Sequence, residues 1–204
     1  VKGLNVTVIP NGGGEDLMAD VPVHYNKTIL FMGNYAWLQN IEAARILARQ
    51  VFPKILKKLP NAKLVIAGQN TEKIAGLKTN DIKLLNLEID DIDGVKKAYL
   101  ENGVLVAPLY GPGGTRLKIL GAMASKLPVV TTSIGIEGIE ARNGQSVLYG
   151  DTIEDLANLT VKLLKDKTLY ANIAKEARKL VEEKYSYPAI AQRLSEVYES
   201  LKKN

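Results

Sequence analysis

Short runs of aliphatic and β-branched residues alternate along this chain with longer stretches in which apolar side chains recur every three or four positions. The short runs are Thr28 to Met32, Lys63 to Ala67, Ile82 to Leu85, Val104 to Pro108, Val129 to Thr132 and Ser146 to Tyr149. Those that are apolar throughout fit strands buried on both faces, which parallel sheets require. A further short strand is expected over Asn5 to Ile9, stopped by Pro10 and the Asn11-Gly12 turn. Between the strands lie helical patterns. One runs from about Leu38 to Leu59 with Ile41, Ala44, Leu47, Ala48, Val51, Ile55 and Leu59 near one face, and Pro53 marks a kink. Thr71 opens a short helix through Leu77, and Asp90 or Asp91 caps one that reaches Leu100. The next has Thr115 at its N-cap and Leu117, Ile119, Leu120 and Met123 on its apolar face, and it must end before Pro128. Asp151 or Thr152 with Asp155 forms a capping arrangement for a helix to Leu164, and two helices follow, about Leu169 to Lys184 and Pro188 to Lys202. The last is amphipathic through Ile190, Leu194, Val197 and Leu201. The alternation predicts an α/β fold: a single Rossmann-like domain over 1–204, with a parallel sheet of about six strands, helices on both faces and right-handed crossovers.

Composition narrows the functional classes. Of 204 residues 46% are hydrophobic and 24% charged, and no apolar run approaches the roughly 18 residues of a membrane span. There is no cysteine, so disulfides and thiolate metal sites are excluded, and the single histidine, His24, cannot build a two-histidine metal site. His24 sits in the polar, irregular stretch from Gly12 to Asn26 and reads as a surface or packing residue. Basic residues outnumber acidic ones by 27 to 22, a mild excess scattered along the chain. The pairs Lys57-Lys58, Lys96-Lys97 and Lys202-Lys203 fall at helix ends or polar faces, which reads as solvated surface, with attraction to anionic lipid headgroups as the functional alternative. No basic motif interleaved with aromatics points to nucleic acid.

The chemistry concentrates between Gly103 and Thr132, GVLVAPLYGPGGTRLKILGAMASKLPVVTT. A buried strand runs into the glycine-rich turn Gly111 to Gly114 and then into a helix, so the loop lies beyond the carboxyl end of a parallel strand, where open α/β sheets bind ligands. Gly113 and Gly114 carry no Cβ, and the helix start offers unpaired N–H groups and partial positive charge, to which Arg116 and Lys118 add full charges. Phosphate suits such a place. A tight turn followed by two solvated basic residues is the plainer reading of the same pattern. The loop is neither G-x-x-x-x-G-K-[ST] nor G-x-G-x-x-G, which disfavours a P-loop nucleotidase and a dinucleotide-binding domain.

The run APLYGPGGTRLKILGAMASKLPVVTT resembles the donor-site segment of the family 4 group of retaining GT-B glycosyltransferases. VIPNG at 8 to 12, ILFMGN at 29 to 34, LVIAGQN at 64 to 70 and GIEGI at 135 to 139 fall in that family's order. The resemblance implies the carboxyl-terminal, donor-binding half of a GT-B fold, with 1–26 a remnant of the interdomain connection and first strand and 186–204 the terminal crossing helix. It implies a donor site built from Gly33, Asn34, Gly68, Leu87, Gly113, Gly114, Thr115, Arg116, Lys118, Gly135, Ile136 and Glu137. Arg116 and Lys118 would stabilise the leaving diphosphate, with Lys118 the better ligand contact and Arg116 open to a structural ion pair. Glu137 has an alternative as a charge at a helix N-terminus.

Three departures stand out against the family pattern. Gly113 and Gly121 occupy the places of two glutamates, the second of which holds the donor ribose hydroxyls in relatives. The segment GNYAWLQN lacks the Arg and Lys that often hold the diphosphate, and Trp37 within it is expected to pack on the helix rather than stack on a ligand. By resemblance the complete enzyme transfers a sugar from a nucleoside diphosphate sugar to a hydroxyl acceptor, without a cofactor or obligatory metal. Its partners would be the nucleotide sugar, a missing amino-terminal acceptor domain and a peripheral membrane surface, with cytoplasmic localisation. This half alone is expected to lack turnover. The competing class is a non-catalytic scaffold that kept the fold, and a more distant one is half of a sugar-nucleotide epimerase.

Overall fold

The structure, a computed structural model, describes residues 6–18, 25–111 and 116–202. Its centre is a six-stranded sheet in the order β3-β2-β1-β4-β5-β6, with all pairs parallel: β1 Thr28–Met32, β2 Lys63–Gly68, β3 Ile82–Asn86, β4 Val104–Ala107, β5 Val129–Thr131 and β6 Leu148–Tyr149. This is the Rossmann-like α/β architecture expected from the alternating pattern. Ile29, Leu30, Phe31, Val104, Leu105, Val106, Val129 and Val130 are wholly buried, because helices cover both faces and no alternation of polar residues is needed. The strand order reverses between β1 and β4, the switch point at which the carboxyl edge of such a sheet opens a crevice.

The helices are α1 Leu38–Ile46, α2 Phe52–Lys58, α3 Ile92–Glu101, α4 Leu117–Ala124, α5 Ile153–Lys165, α6 Lys167–Lys184 and α7 Tyr187–Lys202. On one side α2 packs against α5, and on the other α4 packs against α6. The helical pattern from Leu38 onward is continuous, but instead of a kink at Pro53 the chain widens into a π turn over Leu47–Val51, in which the Phe52 N–H reaches the Leu47 carbonyl. The wider turn accommodates a ring that would otherwise press on the carbonyl four residues back. Thr152 and Asp155 form a reciprocal capping box at α5, and Asp91 accepts from the Gly94 amide at α3.

Several local expectations are corrected. No strand forms over the described part of Asn5 to Ile9: Val6 and Val8 stand in solvent and pair with no strand among the described residues. The segment after it instead packs against α4 and α6. Gly13 N–H donates to the Tyr185 carbonyl (3.0 Å), and Arg178 donates to the carbonyls of Met18 and Ala124. Helix α4 starts with Arg116 at its cap position and no side-chain cap, while Thr115 lies outside the described residues, as do His24, Gly113 and Gly114. Leu117, assigned to the apolar face, is 54% exposed; Ile119, Leu120 and Met123 do enter the core. Trp37 is 64% exposed, because the turn at Asn34 to Trp37 carries it outward at the cap of α1 rather than onto the helix body. Helix α7 buries none of its residues, leaving Leu194, Tyr198 and Leu201 exposed. Among the described residues no helix is long and apolar enough to cross a membrane.

One contact draws the carboxyl ends of β1 and β2 together. Gly68 has φ of +131°, and a Cβ there would stand 1.9 Å from the Gly33 carbonyl oxygen. Gly68→Ala is therefore expected to lower stability by at least about 2 kcal/mol. Urea denaturation of the variant against the parent chain measures this.

Candidate functional site

At this edge of the sheet lies a cleft of about 490 Å³, floored by the exits of β1, β2 and β3 and walled by α3 and α4. Of the residues singled out in the sequence, Gly33, Asn34, Gly68, Leu87 and Lys118 line it together, and so does Gly121. A chain of amide side chains holds its floor. Asn34 Nδ2 donates to Gln69 Oε1 (2.7 Å), Asn34 Oδ1 accepts from Asn70 Nδ2 and from the Ala36 amide (both 2.9 Å), and Asn40 Nδ2 donates to the Asn34 carbonyl (2.8 Å). Asn70 can supply its amide from φ +59°, a left-handed conformation that asparagine tolerates. Gln69, Asn40 and Asn70 were not singled out from the sequence. Amide side chains are ordinary in turns, and only the fold shows that turns 35 residues apart in sequence share one network.

Lys118 closes the chain. Its ammonium donates to Asn40 Oδ1 (2.5 Å) and stands 4.8 Å from the centre of the Phe31 ring, a favourable cation–π placement. No carboxylate among the described residues pairs with it within salt-bridge distance. Burial, and secondarily the nearby Arg116 charge, push its pKa down to about 8. The result is a half-buried cation facing a cleft without a counter-ion.

Arg116 takes a different position. It donates to the Gly111 carbonyl (2.9 Å) and lines a smaller cavity of about 180 Å³ with Gln39, Glu42 and Tyr110, outside the main cleft. Its Nε is buried and has no hydrogen-bond partner among the described residues, and burial lowers its pKa. Gly135, Ile136 and Glu137 are likewise absent from the cleft lining. The Gly135 amide donates to Thr132 Oγ1 (2.9 Å), and a Cβ there would stand 2.0 Å from Thr131 Oγ1, so the missing side chain makes room for the protein's own threonine. The amides of Ile136 and Glu137 also bond to preceding carbonyls. Glu137 follows the 3₁₀ turn Ile134–Ile136 and is not a helix N-terminal charge.

Gly121 is accounted for by packing. A Cβ at this position would meet Leu17 at 3.1 Å and the Tyr99 ring and hydroxyl at 3.2 Å, both of which line the same cleft. Tyr99 is buried, and its hydroxyl donates to the Lys118 carbonyl (3.3 Å). A side chain at this position would therefore need small shifts of Tyr99 on α3 and of Leu17 in the segment before β1.

The model of the family described as glycosyl transferases group 1 matches residues 26–166. An uncharacterised glycosyltransferase of Methanocaldococcus jannaschii is 34% identical over 180 residues, covering 84% of this chain and 44% of the relative. The chain spans less than half the length of the curated relatives it matches. Among solved structures, Alr3699/HepE of Anabaena, in complex with UDP and glucose, superposes with a TM-score of 0.73 at 17% identity, over 95% of this chain and 56% of that one. The carboxyl-terminal domain of a group 1 glycosyl transferase, LpcC of Francisella tularensis, has a TM-score of 0.60 at 22% identity, over 87% of this chain and 95% of that one. These two likenesses concern the fold.

The isolated ammonium carries a stability cost. Its pKa of about 8 lies below that of an unfolded lysine, so between these values the unfolded chain binds more protons and the parent protein gains stability as pH rises. Lys118→Met is expected to melt higher than the parent at pH 7, by roughly 2–4 °C, with the gap shrinking toward pH 10. Thermal melts of both proteins across that range test it.

Proposed function

Because the chain belongs to the group 1 glycosyl transferases, we propose that it is the donor-binding half of a retaining enzyme that moves a sugar from a nucleoside diphosphate sugar to a hydroxyl. The observation that carries this reading is the unpaired Lys118 ammonium in a cleft at the carboxyl edge of a parallel sheet. An anion settling there regains for the lysine the interaction that burial removed. Glycosyl transfer leaves negative charge on the departing diphosphate, and a preorganised cation beside a helix start stabilises that charge as it grows. In this assignment Lys118 is the leaving-group stabiliser, and Arg116 holds the turn at Gly111. A solved structure of the same fold holds UDP and glucose, which supports a nucleotide sugar as the ligand. The acceptor would be presented by a second domain across the cleft, so this half alone performs no turnover.

Gly121 favours a second reading, a scaffold that kept the fold without donor affinity, since no carboxylate is available there for ribose hydroxyls. Calorimetry separates the two. Nucleoside diphosphates are expected to bind the chain, with affinity declining as pH rises through 8, and Lys118→Ala is expected to weaken binding about tenfold or more. An absence of binding at millimolar nucleotide would favour the scaffold.

A further inference from the structure

The cleft is electrically polarised along the sheet. Among the described residues, its lining holds two side chains that carry formal charge at neutral pH, Lys118 and Glu88. Lys118 stands over β1 through its contact with Phe31. Glu88 follows β3, two strands away in the order β3-β2-β1, which is roughly 10 Å at ordinary strand spacing. The carboxylate is aimed by a built chain: Asn86 Oδ1 accepts from the Thr71 amide (3.3 Å) and hydroxyl (3.2 Å), which turns Asn86 Nδ2 toward Glu88 Oε1 (3.1 Å). Leu87, Ile89 and Val95 give this end of the cleft apolar walls.

We propose that Glu88 is the residue that selects the nucleobase, and that it selects guanine. The proposal rests on the donor-binding reading above. With the diphosphate at Lys118, the part of a nucleotide that reaches two strands away is the edge of the base, while the ribose lies between. A carboxylate only accepts hydrogen bonds. Guanine offers it two adjacent donors, N1–H and the N2 amino group, in the planar spacing that two carboxylate oxygens match. Uracil offers one N–H between two carbonyl oxygens that the carboxylate repels, and adenine and cytosine each set a ring nitrogen acceptor beside their amino group. The apolar walls meet the faces of the ring.

The test is calorimetry of the full 204-residue chain and of Glu88→Gln with GDP, UDP and 2′-deoxy-GDP. Glu88 is exposed, so the variant should keep the fold. The parent is expected to bind GDP roughly tenfold or more tightly than UDP, 2′-deoxy-GDP is expected to keep that preference, and in Glu88→Gln the GDP to UDP ratio should fall to about one. Equal binding of GDP and UDP by the parent overturns the assignment of Glu88 while leaving the donor reading intact. A preference that survives in Glu88→Gln also overturns it, as does an equal loss of GDP and UDP binding in that variant, which would place the carboxylate on the ribose. Failure of all three nucleotides to bind removes the donor reading and this inference together.

Discussion

The site depends on how closely two backbone turns approach at the carboxyl edge of the sheet. Gly68 presses on the Gly33 carbonyl at a distance no side chain could share, and this brings the exits of β1 and β2 together. With them joined, Asn34, Gln69 and Asn70 come within hydrogen-bond reach, and Asn40 at the start of α1 is tied to the same turn. Lys118 is then held by Asn40 from one side and by Phe31 from another. Apart from the Asn40–Asn34 bond, each link joins segments at least 35 residues apart in sequence. The cleft is thus a consequence of parallel strand pairing, which aligns three strand exits on one edge.

Under the proposed function, stability and ligand binding pull in opposite directions at Lys118. A folded chain could place methionine there and avoid desolvating an ammonium, and among the described residues its partners include an aromatic ring and an amide but no carboxylate within salt-bridge distance. Such an uncompensated group is what a ligand-binding site is expected to retain, since the anion that completes it arrives from solution. Gly121 shows the other side of the same economy of space. Leu17 and Tyr99 pack within 3.2 Å of where a Cβ at position 121 would stand, so the wall of the cleft is tightly packed where a carboxylate is absent.

The fold was legible in the residues because continuous apolar strands and helical spacing leave few alternatives. Six strands, their order of appearance, the capping box at Thr152 and Asp155 and the helical register of Ala44, Leu47, Ala48 and Val51 all follow from local pattern. Val6 and Val8 misled because β-branched residues mark a strand only where a neighbouring strand is available, and among the described residues none pairs with them. Trp37 misled because its apolar surface says nothing about the direction in which a turn points it. At the site, Gly33, Asn34, Gly68, Leu87 and Lys118 converge as their positions at strand exits suggest. Arg116 and Gly135 do not: one terminal nitrogen of the guanidinium donates to the Gly111 carbonyl and the Gly135 amide donates to Thr132, a choice decided by angstrom-scale geometry. Asn40 and Gln69 gave no signal, because amides in loops are common and only three-dimensional neighbours give them a role.

The central claim is that a diphosphate-bearing ligand occupies the cleft between the exits of β1 to β3 and helix α4. Chemical-shift mapping of the backbone amides during titration with a nucleoside diphosphate addresses it directly. The largest changes are expected on Gly33, Gly68, Leu87, Lys118 and Gly121. Changes concentrated instead along the polar groove between Glu140 and Lys184, with these five amides unmoved, would contradict it.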